Sequence, residues 1–242
     1  RSPDCFHAVE ELRQRLLREG YTELRPGRWQ LTAGGKYFTT KNGSSLMAFR
    51  LPQEAPAGFL LTASHSDSPC FRLRDHAELT GEYIRLSAER YGGMINDSWL
   101  DRPLSVAGRV LVRREGGLEA RLVDLKRDVA LIPRVAIHLN RETNSGVKYD
   151  PARDLVALYA AGTGSGSFYR EVARTADCAP EDVVAGDLVL YNNQPGTVWG
   201  AEGEFVSAPR LDDLACVFAC TEGFLTAQER DMVPVLCVFD NE

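Results

Sequence analysis

The sequence predicts an α/β domain interrupted by a β-rich one, and three observations carry that prediction. Residues 1–90 open with a helical pattern and pass into short strands. Residues 91–206 hold strand and turn patterns with few long helical stretches. Residues 207–242 return to a helix followed by an apolar strand. An α/β segment, a β module and α/β again is the trace left when one domain is inserted into another.

The elements follow in order. Phe6, Val9, Leu12, Leu16 and Leu17 recur at helical spacing between Asp4 and Glu19, with Ser2 or Asp4 as cap and Gly20 at the position after the helix. From Thr22 to Leu51 short strands alternate with turns at Gly34-Gly35 and Asn42-Gly43. Residues 57–63 predict a buried strand ending near His65. Arg109–Arg114 and Leu118–Val123, joined at Gly116-Gly117, predict a hairpin. Val135 to Leu139 predicts a further strand, Pro180–Val184 a short helix, and Gly186–Tyr191 with Thr197–Trp199 another hairpin. Leu211 to Ala227 reads as helical and residues 233–239 as a buried strand. Ala161–Ser167 has the glycine density of a phosphate loop without its Gly-Lys-Ser/Thr ending, and predicts a flexible loop.

Composition narrows the function. A chain of 242 residues with 44% hydrophobic and 26% charged residues fits a globular protein with a sizeable core. A net charge of -6 disfavours nucleic acid and anionic membrane surfaces as partners. The apolar runs fall well short of the roughly 18 residues that cross a bilayer, and no signal-peptide pattern opens the chain. The six cysteines form no C-x-x-C pair and most sit in apolar contexts. They read as reduced core residues, which leads to the expectation of a cytoplasmic location.

Several residues are candidates for chemistry. The apolar strand before His65-Ser66-Asp67 delivers them to a strand end, where open α/β sheets place their sites. A ligating histidine needs its second ring nitrogen held by a partner, and Asp67, two residues on, is placed to hold it. Asp212-Asp213 opens an apolar helix, where an aspartate caps or, with two oxygens, bridges two metal ions. Glu242 follows the last strand and is a candidate general base. His138 lies between Ile137 and Leu139 on the opposite face of its predicted strand. Taken singly, each has an ordinary reading as a polar loop, a cap or a surface residue.

As an ordered set they carry more. Ala63-Ser64-His65-Ser66-Asp67-Ser68-Pro69-Cys70, Tyr91-Gly92-Gly93 with Trp99-Leu100-Asp101-Arg102-Pro103-Leu104, Ala136-Ile137-His138-Leu139-Asn140-Arg141, Ser207-Ala208-Pro209-Arg210-Leu211-Asp212-Asp213-Leu214 and Phe239-Asp240-Asn241-Glu242 together resemble the aspartyl aminopeptidase group of M18 metalloaminopeptidases. Ser2–Val9 resembles that family's opening helix. The resemblance implies a zinc-aminopeptidase-type catalytic domain interrupted by a β-rich dimerisation domain. It implies two divalent ions, usually zinc, with His65 as a ligand, Asp67 supporting it, Asp212 bridging and Glu242 as general base. His138 resembles a histidine that reaches a neighbouring subunit's active site and binds substrate. The implied substrates are peptides with N-terminal Asp or Glu, and the implied assembly is a homodimer within a dodecamer. A further glutamate, aspartate and histidine that bind metal in the family are expected beyond Glu242, so the 242-residue polypeptide is expected not to be a competent peptidase by itself. The alternative is a non-catalytic assembly subunit of the same fold.

Overall fold

The computed structural model describes residues 2–162, 164–228 and 231–242. In it the chain divides into Arg1–Ser68 with Arg210–Glu242, and Pro69–Pro209.

In the first unit the helix Cys5–Arg18 starts where Asp4 accepts a hydrogen bond from the main-chain N–H of His7 at 2.9 Å. Arg15 and Arg18 in its last turn complement the carbonyl end of the helix dipole. Asn42 and Gly43, both at positive φ, turn Lys36–Lys41 back along Ser45–Arg50 as an antiparallel hairpin. The five-stranded sheet runs Thr22–Glu23, Lys36–Lys41, Ser45–Arg50, Met232–Phe239, Gly58–His65. Met232–Phe239 is antiparallel to Ser45–Arg50 and parallel to Gly58–His65.

The alternation of the Met232–Phe239 strand builds two layers. Leu236 and Val238 join Phe38, Leu46, Val9, Leu12, Leu16, Val217 and Phe224 in a core shared with the helices Cys5–Arg18 and Leu211–Thr226. Val233, Val235 and Cys237 meet Tyr37 and Phe49 on the other face. Burying a side chain such as Phe38 or Leu236 contributes about 1.5–3 kcal/mol.

The Gly58–His65 strand departs from the expected burial. Phe59, Leu60 and Leu61 are 66%, 62% and 66% exposed. The strand lies at the sheet's edge and is paired on one side alone among the described residues, so apolar character was present without cover.

In the second unit the seven-stranded sheet closes on itself, because Val183–Asn192 pairs with both Cys70–Leu79 and Pro103–Arg114. Gly108 is needed at that closure: a Cβ there would lie 2.0 Å from the Asp187 carbonyl oxygen. Phe71, Leu86, Leu104, Val106, Val110 and Leu190 fill the interior. The helix Ser167–Thr175, not among the elements expected from the sequence, adds Phe168 and Val172.

Several expectations change here. The first boundary falls at Ser68/Pro69 rather than after residue 90, because Cys70–Leu79 and Tyr83–Tyr91 pair within the second sheet. The second falls at Pro209/Arg210. Thr197–Trp199 pairs with Phe205–Ser207 instead of with the strand before it, since that strand is already taken on both sides. Val135–Leu139 is not a strand: Leu139 N–H donates to the Ala136 carbonyl in a turn, and Val135, Ile137 and Leu139 are all exposed. The stretch Ala161–Ser167, of which Thr163 lies outside the described residues, leads into a helix whose first N–H groups are taken by Glu78, with Phe168 N donating to Oε1 at 2.6 Å. That carboxylate holds the place an anionic ligand would need. Cys216 is exposed rather than core.

Candidate metal centre

The Gly58–His65 and Met232–Phe239 strands end in register, with Phe239 opposite His65. The Ser66 N–H donates to the Phe239 carbonyl at 2.8 Å, and the Ser66 hydroxyl donates to it at 3.1 Å. The Ser44 hydroxyl bonds the Asp240 carboxylate. Buried Ser44 and Ser66 therefore tie the two strand ends together, and His65 and Asp67 leave from a fixed edge.

Asp67 turns back onto the imidazole, with Oδ1 3.0 Å from His65 Nδ1. An ionised carboxylate only accepts, so Nδ1 carries the proton. The other nitrogen, Nε2, faces Asp212 Oδ1 at 3.6 Å and Asp213 Oδ2 at 3.7 Å.

Both aspartates come from the first turn of the helix Leu211–Thr226, where the residues depart from helical angles. Arg210, at positive φ, starts that turn and donates from Nε to the Ser2 carbonyl at 3.0 Å. The Asp212–Asp213 peptide is cis. Ser68 Oγ donates to the Asp212 carbonyl at 2.9 Å, and the His65 N–H donates to Asp213 Oδ2 at 3.1 Å. The Asp212 side chain is 90% exposed and that of Asp213 15%.

The charges are mutually consistent. Burial pulls the His65 pKa down, but the hydrogen bond and charge of Asp67, with the charge of Asp213, outweigh it and the net direction is up. Burial pushes Asp213 up, but hydrogen bonds from Cys216 and the His65 N–H, with the imidazole charge, leave it below the usual carboxylate range.

His65, Asp212 and Asp213 offer ligand atoms that all lie within 4.8 Å of one another. One imidazole nitrogen beside carboxylate oxygens is a donor set that suits a zinc-type cation. Asp213 is the second acid of the Asp212-Asp213 pair that the sequence marks at a helix start, where the ligand role falls to Asp212 alone. Glu242 is exposed and follows the strand end that registers with His65. It is not one of the three clustered residues. His138 belongs to the second unit, on the exposed turn after Ala136.

The chain is similar to known proteins over its whole length. The family model described as Aminopeptidase I zinc metalloprotease (M18) matches residues 1–242. A curated relative from Clostridium acetobutylicum, "Probable M18 family aminopeptidase 2", is 37% identical over 254 residues, covering 100% of this chain and 58% of its own length. The solved structure of Chaetomium thermophilum mApe1 matches with a TM-score of 0.89 and 30% identity, over 99% of this chain and 60% of that one. The S. cerevisiae mApe1 dodecamer matches with a TM-score of 0.83 and 28% identity, over 100% of this chain and 58% of that one. The chain thus spans well under two thirds of the length of these proteins.

Proposed function

The chain belongs to the M18 family of aminopeptidases, and on that premise we propose that His65, Asp212 and Asp213 form part of a two-zinc centre that releases N-terminal Asp or Glu from peptides. The observation that carries this reading is the orientation of His65. Asp67 holds Nδ1, and Nε2 is left facing two carboxylates.

His65 through Nε2 and Asp212 through its exposed carboxylate would hold the metal. Asp213 fixes the His65 main chain and adds a second carboxylate oxygen to the group. Zinc, when bound, supplies Lewis-acid polarisation of the scissile carbonyl. Glu242 takes the proton from the attacking water and returns it to the leaving amine. His138, contributed by a second copy, donates to the developing oxyanion, an interaction worth about 3 kcal/mol. Likeness to a dodecameric relative supports self-assembly. Six free cysteines support a reducing, cytoplasmic setting. A catalytic zinc normally has three protein ligands, and two such ions need more donors than His65, Asp212 and Asp213 provide. The chain alone is therefore proposed to be inactive.

The test is a peptidase assay of the chain alone and of the chain co-purified with the C-terminal portion of an M18 relative. Peptides begin with Asp, Glu or Leu. The reading expects no turnover by the chain alone, and in the complex a zinc-dependent preference for Asp and Glu that Glu242→Gln abolishes. Chelator-resistant turnover contradicts the metal mechanism, and a preference for Leu contradicts the substrate assignment.

A further inference from the structure

The Trp99–Leu104 stretch stands out in the sequence, yet nothing in the metal centre uses it. The structure gives this stretch, with Asp97 just before it, a different place. Asp97 Oδ1 lies 2.7 Å from the Arg134 guanidinium, and the same oxygen accepts from the Tyr149 hydroxyl at 2.7 Å. Asp101 Oδ1 accepts the Arg134 N–H at 2.8 Å, and Asp101 N–H donates to the Ile132 carbonyl at 2.9 Å. Leu100 bridges to Ile132, and Trp99 packs edge-on to buried Phe71 at 5.1 Å. Two exposed aspartates, flanking the core-packed Trp99 and Leu100, thus hold the start of one segment, and the first of them also holds its end. Between Arg134 and Tyr149 the chain is largely exposed and carries His138 flanked by Ile137 and Leu139, the latter 83% exposed.

We propose that Asp97 and Asp101 are positioning residues that close residues 134–149 into an arm on a fixed base, so that His138 is presented from a defined place. The functional part of this inference rests on the reading of His138 as a substrate-binding residue. Exposed ion pairs contribute little one at a time. Here one carboxylate oxygen serves both stems, so losing it releases Tyr149 and leaves Arg134 held by Asp101 alone. Asp97 sits below the usual carboxylate range, chiefly because of the hydrogen bond from Arg134, and so it stays ionised at neutral pH.

Amide hydrogen exchange on the full chain tests the base of the arm. Asp97→Asn should speed exchange of amides 135–148 by about threefold or more. Exchange in Pro103–Arg114 and Tm should stay as in the wild type. Asp97→Glu should restore most of the protection. Tyr149→Phe, which removes a single hydroxyl, should give a smaller effect of the same kind and serves if the first variant folds poorly. Wild-type exchange in both Asp97→Asn and Tyr149→Phe overturns the proposal. So does faster exchange spread equally over the arm and Pro103–Arg114 with a lowered Tm. His138→Ala should leave arm exchange unchanged. If that variant retains full kcat/KM in the assembled enzyme, the substrate role of His138 fails while the exchange result stands.

Discussion

His65 Nδ1 and Asp67 Oδ1 stand 3.0 Å apart, and that single contact decides which imidazole nitrogen is available. With Nδ1 committed, Nε2 faces Asp212 and Asp213. Asp67 therefore acts through His65. Asp67→Asn is expected to weaken cobalt or zinc binding about 10–100-fold while the fold is retained. Cobalt absorption titrations, with circular dichroism as the control for folding, check this.

The same group predicts a pH dependence whose sign is fixed. Without metal, the folded His65 pKa lies above its ordinary value of 6.5. Its charged form then stabilises the fold fully below about pH 6.5, and this contribution is lost as pH rises through the elevated folded value. His65→Gln should therefore lower the Tm of the metal-free chain most at about pH 5.5 and least at about pH 8. With zinc the direction reverses, because protons compete for Nε2 and affinity rises with pH. Thermal melts at the two pH values, with and without zinc, separate the two effects.

The two units have separate cores, which makes stability separable. Leu236 is fully buried in the first and Phe168 in the second. Leu236→Ala should cost about 2–5 kcal/mol and Phe168→Ala about 3–5 kcal/mol. Each should move the unfolding of strands in its own unit. Hydrogen exchange of Ser45–Arg50 and of Pro103–Arg114 across a urea series reads the two independently.

The contrast between what the sequence disclosed and what it hid follows the same division into local and non-local causes. Cys5–Arg18 was legible because cap, periodicity and stop all lie within one short segment. The hairpin at Asn42-Gly43 was legible because its turn needs those residues. Val135–Leu139 misled because alternating polarity marks a strand only when another strand pairs with it. Phe59–Leu61 misled because apolarity says nothing about whether cover is present. In the site, the spacing of His65 and Asp67 marked a local pair. Asp213 required knowing that the Leu211–Thr226 helix starts beside His65, a contact across 148 positions of sequence.

Exposed Phe59, Leu60 and Leu61 on an edge strand present both apolar faces and an unpaired ladder among the described residues, which is a site for sticking. Leu60→Lys should reduce self-association of the chain at high concentration without lowering Tm by more than a few degrees. Light scattering over a concentration series, followed by a thermal melt, checks it.

His65, Asp212 and Asp213 are proposed to hold a metal ion between ligand atoms that lie within 4.8 Å of one another. Isothermal titration of the metal-stripped chain with zinc, for the wild type and for His65→Ala, tests it most directly. Saturable binding is expected in the wild type and is lost in His65→Ala. Equal binding by the two proteins, or no binding by either, would contradict it.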